Sequence, residues 1–361
     1  MKKKSISIIG TVGIPAKYGG FETLVENLSS FHKDNLIDYS LYVYCASKEY
    51  ENKIPKYNDT NLRYIPIKPN GIQSIFYDLF SILHAVYKKD NFILILGVSG
   101  ALFLPLVKIF TNIKIVTNID GIEWRRAKWN RMIKLFLKLS EYFAVKFSDV
   151  VISDNKVISR YIHKTYHIKP KTIAYGGDHA LLDNESNKIN IKNNTFLSIC
   201  RIEPENNINM ILESFSSTGL PLKFIGNWDN SLYGRSLRKK YKNKQNISLV
   251  DPIYDIKQLY IIRSNVIGYI HGHSAGGTNP SLVEMMFFDI PIYAYDCDFN
   301  RESTHNQAFF FKTSGDLSSK ILKTDSLESI SSARNLKNTA EKEYTWNIIA
   351  KKYFDVFDSF N

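Results

Sequence analysis

The sequence predicts an α/β protein built from two doubly wound parallel-sheet domains facing across a cleft, with a C-terminal helix crossing back. Three observations carry this. Strand-length apolar runs alternate with helix-period segments, and that alternation restarts midway along the chain. The chain has 361 residues, more than one hydrophobic core usually serves. The predicted divisions are 1–180, 181–345 and a final helix over 346–361.

In the first half, SISIIG, YSLYVYCA, LRYIPI, FILILG, IKIVTNID and DVVISD read as strands. Such continuous apolar runs suit a sheet covered on both faces. Between the first two, FETLVENLSSFH puts Phe21, Leu24, Val25, Leu28 and Phe31 on one helical face. The second set is NTFLSICRI, LKFIGN, ISLVDP, VIGYIHG and PIYAYD. A polar, Asn- and Gly-rich stretch, IAYGGDHALLDNESNKINIKNN, joins the halves, and YTWNIIAKKYFDVFDSF is an amphipathic tail helix. Phe92–Phe110 is apolar, but its charge-free part ends at Val107, short of a span, and Gly97, Ser99, Gly100 and Pro105 interrupt it. It reads as a buried strand, Phe92–Leu96, then a turn and a short helix.

Composition is that of an ordinary globular protein, 44% hydrophobic and 23% charged. The formal charge of +12 favours anionic partners: nucleic acid, anionic headgroups or phosphorylated substrates. Cys45, Cys200 and Cys297 have no paired spacing, which argues against a disulfide framework or zinc site and for a reducing, cytosolic setting. Met-Lys-Lys-Lys is followed only by SISIIG, too short for a signal core and better read as the first strand.

Four stretches at strand ends carry candidate chemistry. In GTVGIPAKYGGFETLVENL, Gly19 and Gly20 stand just ahead of a helix, where backbone comes close to a ligand; a plain tight turn fits equally well. In TNIDGIEWRRAKWNRMIKLFLKLSEYF, Asp120 follows a strand directly, as a cleft-facing carboxylate or as a cap. The residues after it (Trp124, Arg125, Arg126, Lys128, Trp129) suit an interfacial helix on an anionic membrane, or a solvated basic face.

In LSICRIEPENNINMILESF, Arg201 emerges from a strand, where it can pair with phosphate oxygens or bridge to Glu203 or Glu205; Asn206 and Asn207 open the next helix. In HGHSAGGTNPSLVEMM, a loop holding Gly276, Gly277, Thr278 and Asn279 enters a helix at Pro280. Glu284 lies about one turn inside, as an acceptor for ribose hydroxyls or as a complement to the helix dipole. His271 and His273 alternate on an extended segment, so only one faces the cleft and a metal pair is not expected. Asp296-Cys297-Asp298 imitates a metal-holding Asp-x-Asp, but a turn after PIYAY is the simpler reading.

Taken together, YGGFE, DGIEWRRAKW, ISDNKVISRYI, RIEPENNINMI and GGTNPSLVEMM resemble the retaining glycosyltransferases of the GT-B fold, family 4, over nearly the whole chain. GTVGIPAKYGGFET and GHSAGGTNPSLVE are similar to bacterial rhamnosyltransferases of capsule and O-antigen assembly. The resemblance implies two Rossmann-like domains, the first on the acceptor and membrane side and the second binding the nucleotide sugar. It implies that Arg201 neutralises the donor diphosphate, that Glu284 holds the ribose, and that Gly19 and Gly20 admit the donor. Asp120 falls where many members carry a histidine at the reaction centre. Asn206, His273 and Gly276 through Asn279 would line the donor. Two positions depart from the pattern: the usual lysine five residues after the arginine is Asn206, and the first acid of the Glu-x7-Glu pair is Gly276.

The expected function is therefore retaining transfer of a sugar, L-rhamnose from dTDP-rhamnose, onto a polyprenyl-diphosphate-linked saccharide of bacterial surface polysaccharide. The setting would be cytoplasmic, peripheral on the inner face of the plasma membrane, with no metal, no cofactor and no nucleic-acid partner. A UDP-hexose or UDP-HexNAc donor is the alternative within this class. A sugar-nucleotide epimerase and a non-catalytic membrane or nucleic-acid binder are the alternatives outside it.

Overall fold

A computed structural model describes residues 3–17, 19–69, 71, 73–126, 129–182 and 193–360. Contacts divide the chain into two units, Met1–Ala174 with Trp346–Asn361, and Tyr175–Thr345. The stretch from Tyr175 through Ala180, part of the polar joining segment, thus belongs with the second unit.

Unit 1 holds strands β1 (Lys4–Ile9), β2 (Tyr39–Ala46), β3 (Lys56–Tyr57), β4 (Thr60–Ile65), β5 (Phe92–Leu96), β6 (Lys114–Ile119), β7 (Val150–Ser153) and β8 (Lys171–Thr172). Its helices are α1 (Gly20–Asp34), α2 (Gln73–Tyr87), α3 (Leu104–Phe110), α4 (Arg131–Phe147) and α5 (Lys156–Tyr166), with the C-terminal helix Trp346–Asp358. The sheet runs β3-β4-β2-β1-β5-β6-β7-β8. It is parallel except for the β3–β4 pair. In β5 every residue is buried, the pattern of a strand covered on both faces.

Chain direction decides which helices cover which face. The β1-to-β2 connection moves one way along the sheet; β4 to β5 and each later crossover move the other. With right-handed crossovers, α1 covers one face and α2 through α5 the opposite one. The C-terminal helix joins α1: Phe31 stacks on Phe354 at 5.8 Å, and Tyr39 donates to Asp358 at 2.7 Å.

Unit 2 holds β9 (Phe196–Ile199), β10 (Leu222–Ile225), β11 (Ile247–Val250), β12 (Gly268–His271), β13 (Ile292–Tyr295) and β14 (Phe309–Phe311). Its helices are α6 (Ile208–Thr218), α7 (Leu232–Tyr241), α8 (Ile256–Ser264), α9 (Pro280–Met286), α10 (Asp298–Ser303), α11 (Ser314–Lys323) and α12 (Ser326–Glu343). The parallel sheet runs β11-β10-β9-β12-β13-β14. Counted within the unit this is 3-2-1-4-5-6, the Rossmann order. Phe196, Phe215, Phe224 and Trp228 fill the core on one side of the sheet. The α/β class and the two Rossmann-like units are as predicted.

Each expected apolar run contains a strand. The strands that were not expected, β3, β8 and β14, span only two or three residues. Phe92–Phe110 resolves into β5, a 3-10 turn at Ala101–Phe103, and α3. Among the described residues, no helix is long and apolar enough to cross a membrane.

Candidate functional site

In unit 2 the order of strands reverses between β9 and β12, and the loops leaving those two strands form the mouth where doubly wound sheets bind ligands. Side chains and backbone latch the two loops together. Glu205 O accepts from Ser274 N at 3.0 Å and from Ser274 Oγ at 2.7 Å. Asn207 Nδ2 donates to Gly272 O at 2.8 Å. Asn206, buried at 3% exposure, donates through Nδ2 to Arg201 O at 2.7 Å, and its Oδ1 meets His273 Nδ1 at 2.5 Å. Because that oxygen accepts, His273 carries its proton on Nδ1 and turns Nε2 toward Gly276.

Gly276 sits at φ +114°, and a Cβ there would lie 3.0 Å from His273 Nε2. A side chain at 276 would be strained and would displace that imidazole. Gly277 and Thr278 are buried, and Asn279 Oδ1 accepts from Ser281 N at 3.1 Å, fixing the start of α9.

Arg201 lies in the same loop but points differently. It is exposed, and its guanidinium makes no ion pair among the described residues, so the bridge to Glu203 or Glu205 does not form. Asn206 ends a 3-10 turn, Pro204–Asn206, and Asn207, at φ +51°, stands at the N-cap of α6, which begins at Ile208.

His271 and His273 do not part to opposite sides. Residues two apart on extended backbone face the same way, and the ring centroids stand 6.0 Å apart. His271 is buried, and burial together with His273 holds its pKa well below the ordinary histidine value. Its ring is neutral, and Nε2 has no hydrogen-bond partner among the described residues. Asp296 is held by Arg301 Nε at 2.5 Å and Lys312 at 3.6 Å.

Glu284, on the second turn of α9, is 9% exposed. Arg263, from the last turn of α8, donates to its Oε2, and His179 Nε2 lies 3.3 Å from Oε1. Burial pushes the Glu284 pKa up, but Arg263 and His179 outweigh it and hold the carboxyl down to about 2. The group is an ionised, acceptor-only carboxylate.

In unit 1 the strand order reverses at β1, between β2 and β5, and the loop from Gly10 to Gly19 leaves there. Glu22 organises it. From inside α1, its buried Oε1 accepts from Thr11 Oγ1 at 3.0 Å and Val12 N at 2.7 Å. Gly19 has φ +129°, and a Cβ would overlap the Glu22 carboxylate; Gly20 begins α1. Asp120 is exposed immediately after β6, two strands from β1 on the same sheet edge.

The segment after Asp120 differs from the expected interfacial helix. It is a 3-10 turn, Glu123–Arg125, and helix α4 starts only at Arg131. Trp124 and Trp129 are half-buried. Trp124 Nε1 donates to Tyr161 at 3.3 Å and Trp129 Nε1 to Glu123 at 3.0 Å. Arg125 lies over the Trp124 ring at 5.2 Å, and Arg126 pairs with Glu123 at 3.2 Å. Lys128 lies outside the described residues.

Three residues of these sites were not read from sequence. Arg263 stands in the last turn of α8, His179 in the joining segment and Glu22 in the first turn of α1. An acid two residues after a helix start, just behind a glycine pair, is the signal that Glu22 offered.

Residues 3–178 match a family described as a domain of unknown function, DUF1972. No curated protein matches the chain. Among solved structures it is similar to sucrose-phosphate synthase from Thermosynechococcus elongatus, with a TM-score of 0.82 and 13% identity over 99% of each chain. It is also similar to Anabaena HepE in complex with UDP-glucose, with a TM-score of 0.72 and 11% identity over 99% of this chain and 100% of that one. A glycosyltransferase from Rickettsia africae gives 0.70 and 14%, again over 99% of each chain. At such identities the likeness establishes a shared fold, that of GT-B proteins.

Proposed function

We propose that the protein is a retaining glycosyltransferase that moves L-rhamnose from dTDP-rhamnose onto a polyprenyl-diphosphate-linked saccharide in bacterial surface polysaccharide synthesis. It works from the cytoplasmic face of the plasma membrane. The observation that carries the reading is the Arg201 guanidinium, exposed and without an ion pair among the described residues, on a loop latched to the Gly272–Asn279 loop where the order of strands reverses. An arginine held there suits the diphosphate of a nucleotide sugar. HepE, of the same fold, is a structure with UDP-glucose bound.

In this reading the bond between the anomeric carbon and the diphosphate oxygen breaks, the acceptor hydroxyl oxygen bonds to that carbon on the same face, and the hydroxyl proton passes to the departing diphosphate oxygen. Arg201 and loop N–H groups stabilise the charge that develops on the leaving diphosphate. Glu284, kept ionised by Arg263 and His179, accepts from the hydroxyl of the nucleoside's deoxyribose, and Asp120 serves the reaction centre. His273 offers a polar contact to the donor. The mechanism calls for no metal and no cofactor.

Gly276 supports a donor lacking the hydroxyl pattern that an acid there would read, hence the 6-deoxy sugar. The UDP-glucose complex of HepE supports a second reading, in which the donor is a UDP-hexose or UDP-HexNAc. Incubating purified protein with nucleotide sugars and polyprenyl-diphosphate saccharides, with products scored by mass, decides between them. Transfer from dTDP-rhamnose is the expected result. Transfer only from a UDP sugar overturns the donor, and release of a free epimer without acceptor replaces the transferase with an epimerase.

A further inference from the structure

Helices α2, α3 and α4 lie side by side on one face of the unit 1 sheet, α4 against α3 and the start of α3's turn against α2 at Gly100. Each leaves large apolar side chains in solvent. On α4, Met132, Leu135 and Leu139 recur at helical spacing and are 82%, 71% and 47% exposed. Ile109 and Phe110 on α3 and Phe80 on α2 continue the patch. Isolated exposed apolar residues are commonplace, but large ones recurring on three helices of one sheet face mark a docking surface.

Charge identifies the occupant. The three helices contain two acids, Asp78 and Glu141, and both are buried. Every exposed charge on these helices is basic, Arg131, Lys138 and Lys146 on α4, and Lys88 and Lys89 follow α2; the exposed acid just beyond α4, Asp149, is paired with Lys108 and Lys114. We propose that this face docks on an anionic lipid surface, its apolar residues entering the headgroup boundary and its cations meeting lipid phosphates. The inference rests on the reading that the acceptor is lipid-borne. It moves the contact away from Trp124 and Trp129, whose indole N–H groups bond within the protein.

Flotation of the full chain with vesicles tests this, without any nucleotide sugar present. The wild type floats with mixed phosphatidylglycerol and phosphatidylcholine vesicles and not with phosphatidylcholine alone. Leu135→Ser with Leu139→Ser weakens binding roughly tenfold with unchanged thermal unfolding, and Lys88→Glu with Lys89→Glu does the same without touching an apolar residue. Trp124→Phe with Trp129→Phe floats like the wild type. A wild type that does not float, or either double variant on α2 or α4 that floats undiminished, overturns the proposal. Because no sugar is transferred in the assay, failure here leaves the transferase reading standing, and an inactive enzyme that still floats leaves docking standing.

Discussion

Arg263 and Glu284 form a buried ion pair in unit 2, with side chains 8% and 12% exposed, one from the end of α8 and the other from inside α9. Neither element would be expected to hold the other from sequence. Removing the cation strands the carboxylate where water reaches it poorly. Arg263→Met should destabilise the protein by about 3–5 kcal/mol in urea unfolding, and adding Glu284→Gln should restore most of that loss.

The same pair sets a pH dependence. Because the folded pKa of Glu284 is depressed to about 2, its stabilisation is fully present above the ordinary glutamate range. It is lost as pH falls from that range toward 2. Acid unfolding curves of the wild type and of the Arg263→Met, Glu284→Gln double variant should therefore diverge above that window and converge below it.

Gly19 faces Glu22 across the first loop, at a backbone conformation that other residues rarely adopt. Gly19→Ala should cost on the order of 1–3 kcal/mol and displace the carboxylate that holds Thr11 and Val12. Chemical denaturation measures the first effect, and a lower kcat/KM with nucleotide sugar measures the second.

Asp78 behaves oppositely to Glu284. Burial pushes its pKa up to about 7, against the opposing hydrogen bonds from Ser99 and the Gly100 N–H. A raised folded pKa means that stability falls as pH rises from the ordinary aspartate range to about 7, then levels off. Asp78→Asn should flatten that slope and, above about pH 7, leave the protein more stable by a few kcal/mol. Thermal unfolding across pH checks it.

The sheets were legible because strands such as Phe92–Leu96 are buried on both faces and so read as unbroken apolar runs. Short edge strands such as Lys171–Thr172 leave no such trace. Arg201, Asn206, His273 and Gly276 could be picked out because each follows a strand end in a parallel sheet, where chain order alone places them on one edge. What those side chains do to one another was not legible. The Asn206–His273 contact spans 67 residues, and the Arg263–Glu284 pair joins two helices on either side of β12. Trp124 and Trp129 look interfacial by composition, whereas Tyr161 and Glu123 satisfy them within the fold.

The central claim is that unit 2 holds a nucleotide diphosphate through the Arg201 loop. Calorimetric titration of dTDP, dTDP-rhamnose and UDP-glucose into the wild type and Arg201→Ala measures it directly. The guanidinium forms no ion pair within the described protein, so folding should survive the change. The account predicts binding to the wild type and an affinity about 10- to 100-fold lower in the variant. Equal affinity in the two proteins, or no nucleotide binding to either, would contradict it.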